Sequence, residues 1–284
     1  MTRLQTRRSV KMKSRFLSGP YVLWMVLFTL IPLGVVFYYA FTDSVTGAFT
    51  LSNLSSMIHY WPIFLRSIWL SIFATIICLI IGYPVAYFIA HCKPTTQRLL
   101  QMLVMLPMCM SFLLRTLAWV ALLEDTGIIN NLLVRMGLIL EPLPLIRNNG
   151  AVILGMVYNY LPYMILPLYT VIMKIDNRLV EAAQDLGCNS RQIFTKVTLP
   201  LSVPGIVSGI TMVFVPAVST FYISQKLGSP DTILIGDVIE MQFKSAYNPN
   251  LGAALSLVLM LLIFVCVGVM NRFTEDDEEG MVTV

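Results

Sequence analysis

Residues able to do chemistry are sparse in this chain. Arg115 stands inside an apolar run over residues 99–123. An unpaired charge is costly there near the centre of a bilayer. Two readings are open: Arg115 lines a polar pathway, or it snorkels from the outer third of its span, since Glu124 and Asp125 close the run. Asn159 is a weaker case, whose plain role is an interhelical hydrogen bond. Tyr158, Tyr160, Tyr163, Phe221 and Tyr222 crowd one depth of two later apolar runs. They form either an interfacial aromatic belt or a ring of faces that holds an organic cation by cation–π attraction. Glu124, Asp125, Asp231, Asp237 and Glu240 are loop carboxylates on the same side, and either attract a cation or are solvated loop charge. Metal and disulfide chemistry find no support: Cys78, Cys92, Cys109, Cys188 and Cys266 are scattered without a Cys-x-x-Cys pair, and His59 and His91 are far apart. No nucleophile–base pair falls within the apolar runs. No Gly-x-x-x-x-Gly-Lys-[Ser/Thr] phosphate loop occurs. If ATP drives this protein, another chain must hydrolyse it.

The longest polar interruption that still reads as ordered covers residues 176–205. Asp176 or Asn177 can cap a helix by accepting from its free first-turn N–H groups. Leu179, Ala182, Ala183 and Leu186 then share one face at helical spacing. Gly187 stops that helix, because glycine takes the left-handed position without a Cβ clash. Ser190 can cap a second short helix with Ile193, Phe194 and Val197 on its apolar face. Pro200 bars a regular helix from running through unchanged and pushes Leu199 towards extended backbone. Neither helix can bury its apolar face alone. They lie on a membrane surface or dock into a groove of a partner protein.

The elements that position these residues are membrane spans. The chain has 284 residues, 57% hydrophobic and 12% charged, about half the usual charged share of a soluble domain. Six apolar runs, at about 21–41, 68–90, 99–123, 151–173, 201–223 and 251–270, are each long enough to cross a bilayer. The first is too long for a signal-peptide core. Lys and Arg cluster in residues 1–15, at Lys93 and Arg98, and around the 174–200 loop; residues 43–64 contain none. That bias places both termini and the Glu181 loop in the cytoplasm. The expected organisation is a basic arm (1–20), a six-span domain (21–271) containing a cytoplasmic loop (174–200), and a solvated, disordered acidic tail (272–284). The net charge of +4 and the lack of a basic–aromatic motif argue against nucleic acid. Pro107, Pro162, Pro167, Pro204 and Pro216 punctuate the later spans, as in a bundle that must rock, and Gly205-x-x-x-Gly209 invites close helix approach.

Glu181-Ala182-Ala183, then Gly187 and Leu199-Pro200, closely resemble the EAA motif of membrane subunits of bacterial ABC importers. Over nearly all its length the chain looks like the first membrane subunit of spermidine/putrescine permeases. The blocks that carry this are Gly82-Tyr83-Pro84-Val85-Ala86-Tyr87, Leu106-Pro107, Leu114-Arg115-Thr116, Tyr160-Leu161-Pro162-Tyr163, Leu166-Pro167-Leu168-Tyr169, and Val215-Pro216-Ala217 leading to Phe221-Tyr222. Permeases of that kind commonly carry an acidic residue shortly after that tyrosine; here Gln225 and Lys226 stand nearby.

The resemblance implies an all-α integral membrane protein of the type I ABC importer permease fold, with six transmembrane helices, in the bacterial cytoplasmic membrane. It implies a second permease subunit, two ATPase subunits that hold the ATP and Mg, an extracellular solute-binding protein and a polyamine substrate. No cofactor is expected on this chain, and no catalysis by it. ATPase coupling would fall to Glu181, Ala182, Ala183, Leu186, Gly187, Phe194, Leu199 and Pro200. A pathway or gate would draw on Phe221, Tyr222, Tyr160, Tyr163, Arg115 and Glu240. The alternatives are the same importer class for another organic cation or small solute, and a stand-alone ion-coupled carrier. Such a carrier usually shows midplane ionisable groups and internal repeats; only Arg115 qualifies, and no repeat is visible.

Overall fold

In chain order the helices are α1 (Pro20–Ala40), α2 (Ser52–Ala90), α3 (Pro94–Cys109), α4 (Phe112–Leu123), α5 (Ile128–Arg135), α6 (Asn149–Ile172), α7 (Asn177–Asp185), α8 (Ser190–Leu201), α9 (Val203–Val218), α10 (Tyr222–Leu227), α11 (Ile235–Lys244) and α12 (Pro249–Val282). They are those of a computed structural model that describes residues 20–44 and 46–282. Most of the basic arm lies outside the described residues. Among the described residues the β pairing is one isolated bridge, Thr42 to Phe49.

Four helical stretches are long and apolar enough to cross a membrane: α1, α2, α6 and the first part of α12, Pro249–Met270. Two bent pairs bring the number to six if each is one span. The third apolar run is therefore not the straight helix expected over 99–123. It breaks at Met110 and Ser111, both extended, and its halves meet at 88°. Pro107, without an N–H, opens a short 3-10 turn just before the break. The fifth run ends at Val218, short of the expected Ile223, so Phe221 and Tyr222 sit at the start of a separate helix. The acidic tail also departs from expectation: the backbone of α12 remains helical through Val282.

Leu199 corrects another expectation. It is helical (φ −64°, ψ −48°), and α8 runs through Pro200 to Leu201. The reason is a π-helical turn at Phe194–Thr198, closed by the Leu199 N–H on the Phe194 carbonyl. The wider turn takes up the bond and the space that proline would otherwise disrupt. α1 repeats the device, with a π turn at Val26–Leu30 immediately before Ile31 and Pro32.

The chain resolves into two compact units. One contains the residues up to His59 with Met241–Met260. Its polar centre is buried Asn250, whose amide donates to the carbonyls of Thr42 (2.7 Å) and Tyr39 (3.1 Å). The other contains Tyr60–Glu240 and the residues from Leu261 onward. Its core is the mutual packing of α2, α6 and α9. Ala74, Cys78, Val152, Met156, Met164 and Val213 are sealed there. Gly205 and Gly209 allow the close approach their spacing suggested. A Cβ on Gly209 would stand 2.7 Å from Met164 Sδ, and one on Gly205 would stand 3.0 Å from Val171 Cβ.

Candidate functional site

Two groups of residues lie along α6 in the second unit, one past its C-terminal end and one running from its N-terminal end to Tyr160 and Tyr163 near its middle. The helix has 24 residues and so spans about 36 Å.

At its C-terminal end α6 leads into α7. Asp176 caps α7, its carboxylate accepting from the Arg178 N–H at 3.0 Å. Gly187 takes φ +80° and makes the corner. The second helix is capped by Asn189 rather than Ser190. Asn189 Oδ1 accepts from the Gln192 N–H while Gln192 Oε1 accepts from the Asn189 N–H, each at 2.9 Å, a reciprocal capping box. Of the coupling residues expected on α7, only Ala183 is buried. Glu181 and Ala182 are exposed, Leu179 is 48% exposed and Leu186 86%. An ordered helix thus presents apolar side chains that nothing in this chain covers well. α8 is held differently. Ile193 is buried, and the Phe194 ring meets Tyr83 and Tyr87 of α2 edge-on, at centroid separations of 5.7 and 6.0 Å. The turn after α2 is tied by Gln97, whose amide donates to the carbonyls of Ala90 and Cys92, both at 2.9 Å. Tyr169 of α6 in turn donates to Gln97 Oε1 at 3.3 Å.

At the N-terminal end α6 meets α10 and the loop after it. The Arg147 N–H donates to the Leu227 carbonyl (2.9 Å), and Thr232 Oγ1 donates to Asn149 Oδ1 (2.9 Å). Tyr160 is buried, stands beside Thr220 and donates to the Pro216 carbonyl of α9 at 3.3 Å. Tyr163 lies 6.5 Å from it, ring to ring, and is 37% exposed. Tyr222 packs on Phe112 of α4 at 6.2 Å, and Lys226 stands 5.8 Å over the Tyr222 ring. Phe221 is 41% exposed, at the helix break. Glu240 of α11 accepts from the Gln225 amide. Tyr158 is set apart, edge-on to Trp119 at 5.3 Å.

Arg115 is buried within the chain, 6% exposed, and its Nε and Nη1 have no hydrogen-bond partner. Asn159 does not bridge helices: its amide donates to the Gly155 carbonyl of its own helix at 2.8 Å.

Several contributors were not singled out from sequence. Tyr83 and Tyr87 carried a readable signal, since a spacing of four puts both rings on one helix face. Ser202 and Phe112 carried none. Asp237 was read as a loop carboxylate that attracts a cation or is solvated, yet it is buried. It accepts from the Ser224 hydroxyl (3.0 Å) and the Leu234 N–H (2.8 Å), and pins α11 to α10.

The family described as binding-protein-dependent transport system inner membrane component matches residues 82–275. The spermidine/putrescine transport system permease protein PotB of Haemophilus influenzae is 40% identical over 255 residues, covering 85% of this chain and 88% of that protein. PotB of Escherichia coli K12 is 35% identical over 247 residues, covering 84% and 90%. Among solved structures, a bacterial ABC transporter involved in import of the acidic polysaccharide alginate aligns with a TM-score of 0.74 at 19% identity. That alignment covers 96% of this chain and 99% of the other; at this identity it speaks for the fold.

Proposed function

The chain belongs to the family of binding-protein-dependent transport system inner membrane components, and we propose that it is the permease subunit of a bacterial ABC importer for spermidine and putrescine. Its place is the cytoplasmic membrane, with α7 and α8 on the cytoplasmic side. A second permease subunit completes the pathway, two ATPase subunits bind ATP and Mg, and an extracellular solute-binding protein delivers the polyamine. The substrate class rests on 40% identity to a spermidine/putrescine permease across most of both chains.

The observation that carries the coupling role is the exposed apolar face of α7. Leu179 and Leu186 point away from the chain on a helix fixed at both ends by Asp176 and Gly187. That is the form of a plug for a partner's groove. Closure of the ATPase dimer moves the plug, α8 carries the movement into α9 and α2, and the aromatic group around Tyr160 and Tyr163 opens or shuts. The cycle is alternating access between two states whose populations the ligands shift.

Uptake of labelled spermidine by cells expressing the whole complex tests this, beside a complex carrying Glu181→Lys. Energy-dependent uptake that the substitution reduces at least tenfold, with the complex still in the membrane, is expected. Normal uptake by the variant would remove Glu181 from the coupling surface. A complex whose ATPase responds to another solute, and not to spermidine, would keep the importer and discard the polyamine.

A further inference from the structure

The corner between α8 and α9 is tied by backbone bonds, the Ser202 N–H on the Thr198 and Leu199 carbonyls (3.0 and 3.1 Å) and the Ile206 N–H on the Ser202 carbonyl (3.0 Å), and by a side-chain link to α2. The two helices meet at 61°, with Pro200 and Pro204 on either side of the bend. Neither proline has an N–H to give. At the bend sits Ser202, fully buried. Its hydroxyl donates to the Leu199 carbonyl at 2.8 Å. A serine hydroxyl has a single proton, so the 2.9 Å contact between Tyr83 Oη and Ser202 Oγ must be donated by the tyrosine. The result is a directed chain, Tyr83 to Ser202 to the Leu199 carbonyl. It runs from the C-terminal third of α2 into the last turn of α8, and the Phe194 ring packs against the same tyrosine.

We propose that Tyr83 is a positioning residue of the transport cycle: its hydroxyl, through Ser202, locks the α8–α9 corner to α2, so that movement of the docking helices turns α2 and α9 together. This rests on the coupling role proposed above and adds the joint through which it acts. The aromatic packing alone would let α8 slide; the hydrogen-bond chain fixes its register.

The test uses the full complex in liposomes with its binding protein and spermidine, in Tyr83→Phe, Ser202→Ala and double-variant forms. The quantity read is solute moved per ATP hydrolysed, which a loss of folded complex alone does not change. Each single variant is expected to lower that ratio about fivefold, the factor set by one hydrogen bond of ordinary net strength. The double variant is expected to be no worse than either single one, because both remove the same bond. Ser202→Thr, which keeps the hydroxyl, is expected to restore the ratio. A wild-type ratio in both single variants overturns the joint, and so do effects that multiply in the double variant. Amide exchange over residues 196–206, measured on the same complex without solute, is expected to be about fivefold faster in Tyr83→Phe. Unchanged exchange overturns the joint whatever the solute. A wild-type complex that hydrolyses ATP but moves no spermidine counts instead against the substrate reading.

Discussion

Burial pushes the Asp237 carboxyl up to about 6 from its ordinary 3.8. The Leu234 N–H and Ser224 hydroxyl oppose that rise, and nearby Glu240 adds to it. A folded state with the higher pKa binds the proton more tightly. The stability this residue supplies is therefore full below about pH 4 and is lost as pH rises through about 6. The difference corresponds to about 3 kcal/mol. The thermal midpoint of the purified complex is expected to fall between pH 4.5 and 7.5, and Asp237→Asn is expected to flatten that slope. An equal slope in the variant would assign it to another group. In sequence Asp237 looked like any loop carboxylate, because what makes it unusual is Ser224 and the Leu234 amide folding over it. Arg115 shows the converse. Its apolar surroundings were legible, but its burial was not, since snorkelling and burial share one local pattern.

Between residues and the bundle, the α7–α8 pair was the most legible element. Its caps, its glycine corner and the apolar positions follow from local rules, and each acts within a few residues. The exceptions were also local. Asn189 outcompeted Ser190 as the cap because Gln192 could return the hydrogen bond, and a π turn absorbed Pro200. What periodicity could not decide was whether the exposed face meets lipid or protein, and Leu186 separates the two. At 86% exposure it contributes little to folding, so Leu186→Asp is expected to leave the amount of folded complex within about 20%. Surface substitutions of this kind usually change stability by ~0.5 kcal/mol or less. Solute-stimulated ATPase activity is expected to drop tenfold or more, because a carboxylate would be driven into an apolar groove without a partner. Stimulated activity at the wild-type level, with α7 released from the bilayer surface, would assign the face to lipid. The breaks in the third and fifth spans were legible only as prolines within the apolar runs, not in their position or angle. Pro107 marks the 3-10 turn just before the 88° break, but Met110 and Ser111 themselves are neither proline nor glycine, so the place of the break was not legible.

Across the second unit, a movement at α7 has to travel half the length of α6 to reach Tyr160. Lipid supplies little drive for helices to associate, so the path depends on packing. That packing converges on Met164. The side chain is fully buried in α6, and the backbones of two other spanning helices rest on it. A Cβ on Gly82 of α2 would stand 3.0 Å from Met164 Cγ, and one on Gly209 of α9 would stand 2.7 Å from Met164 Sδ. Three helices thus touch at one thioether, between the docking end and Tyr160. Met164→Ala removes that contact and leaves a void that bare glycines cannot fill. The cost is about 2 kcal/mol, the low end for such truncations, because the reference state is in lipid rather than water. If force passes through this contact, the variant loses more transport than stability. Spermidine uptake per ATP is expected to fall at least threefold in complexes that still purify intact, and volume-conserving Met164→Leu is expected to recover most of it. A variant whose melting temperature falls while its uptake per ATP holds would show that Met164 only fills space, leaving Tyr83 and the α8–α9 corner to carry the coupling.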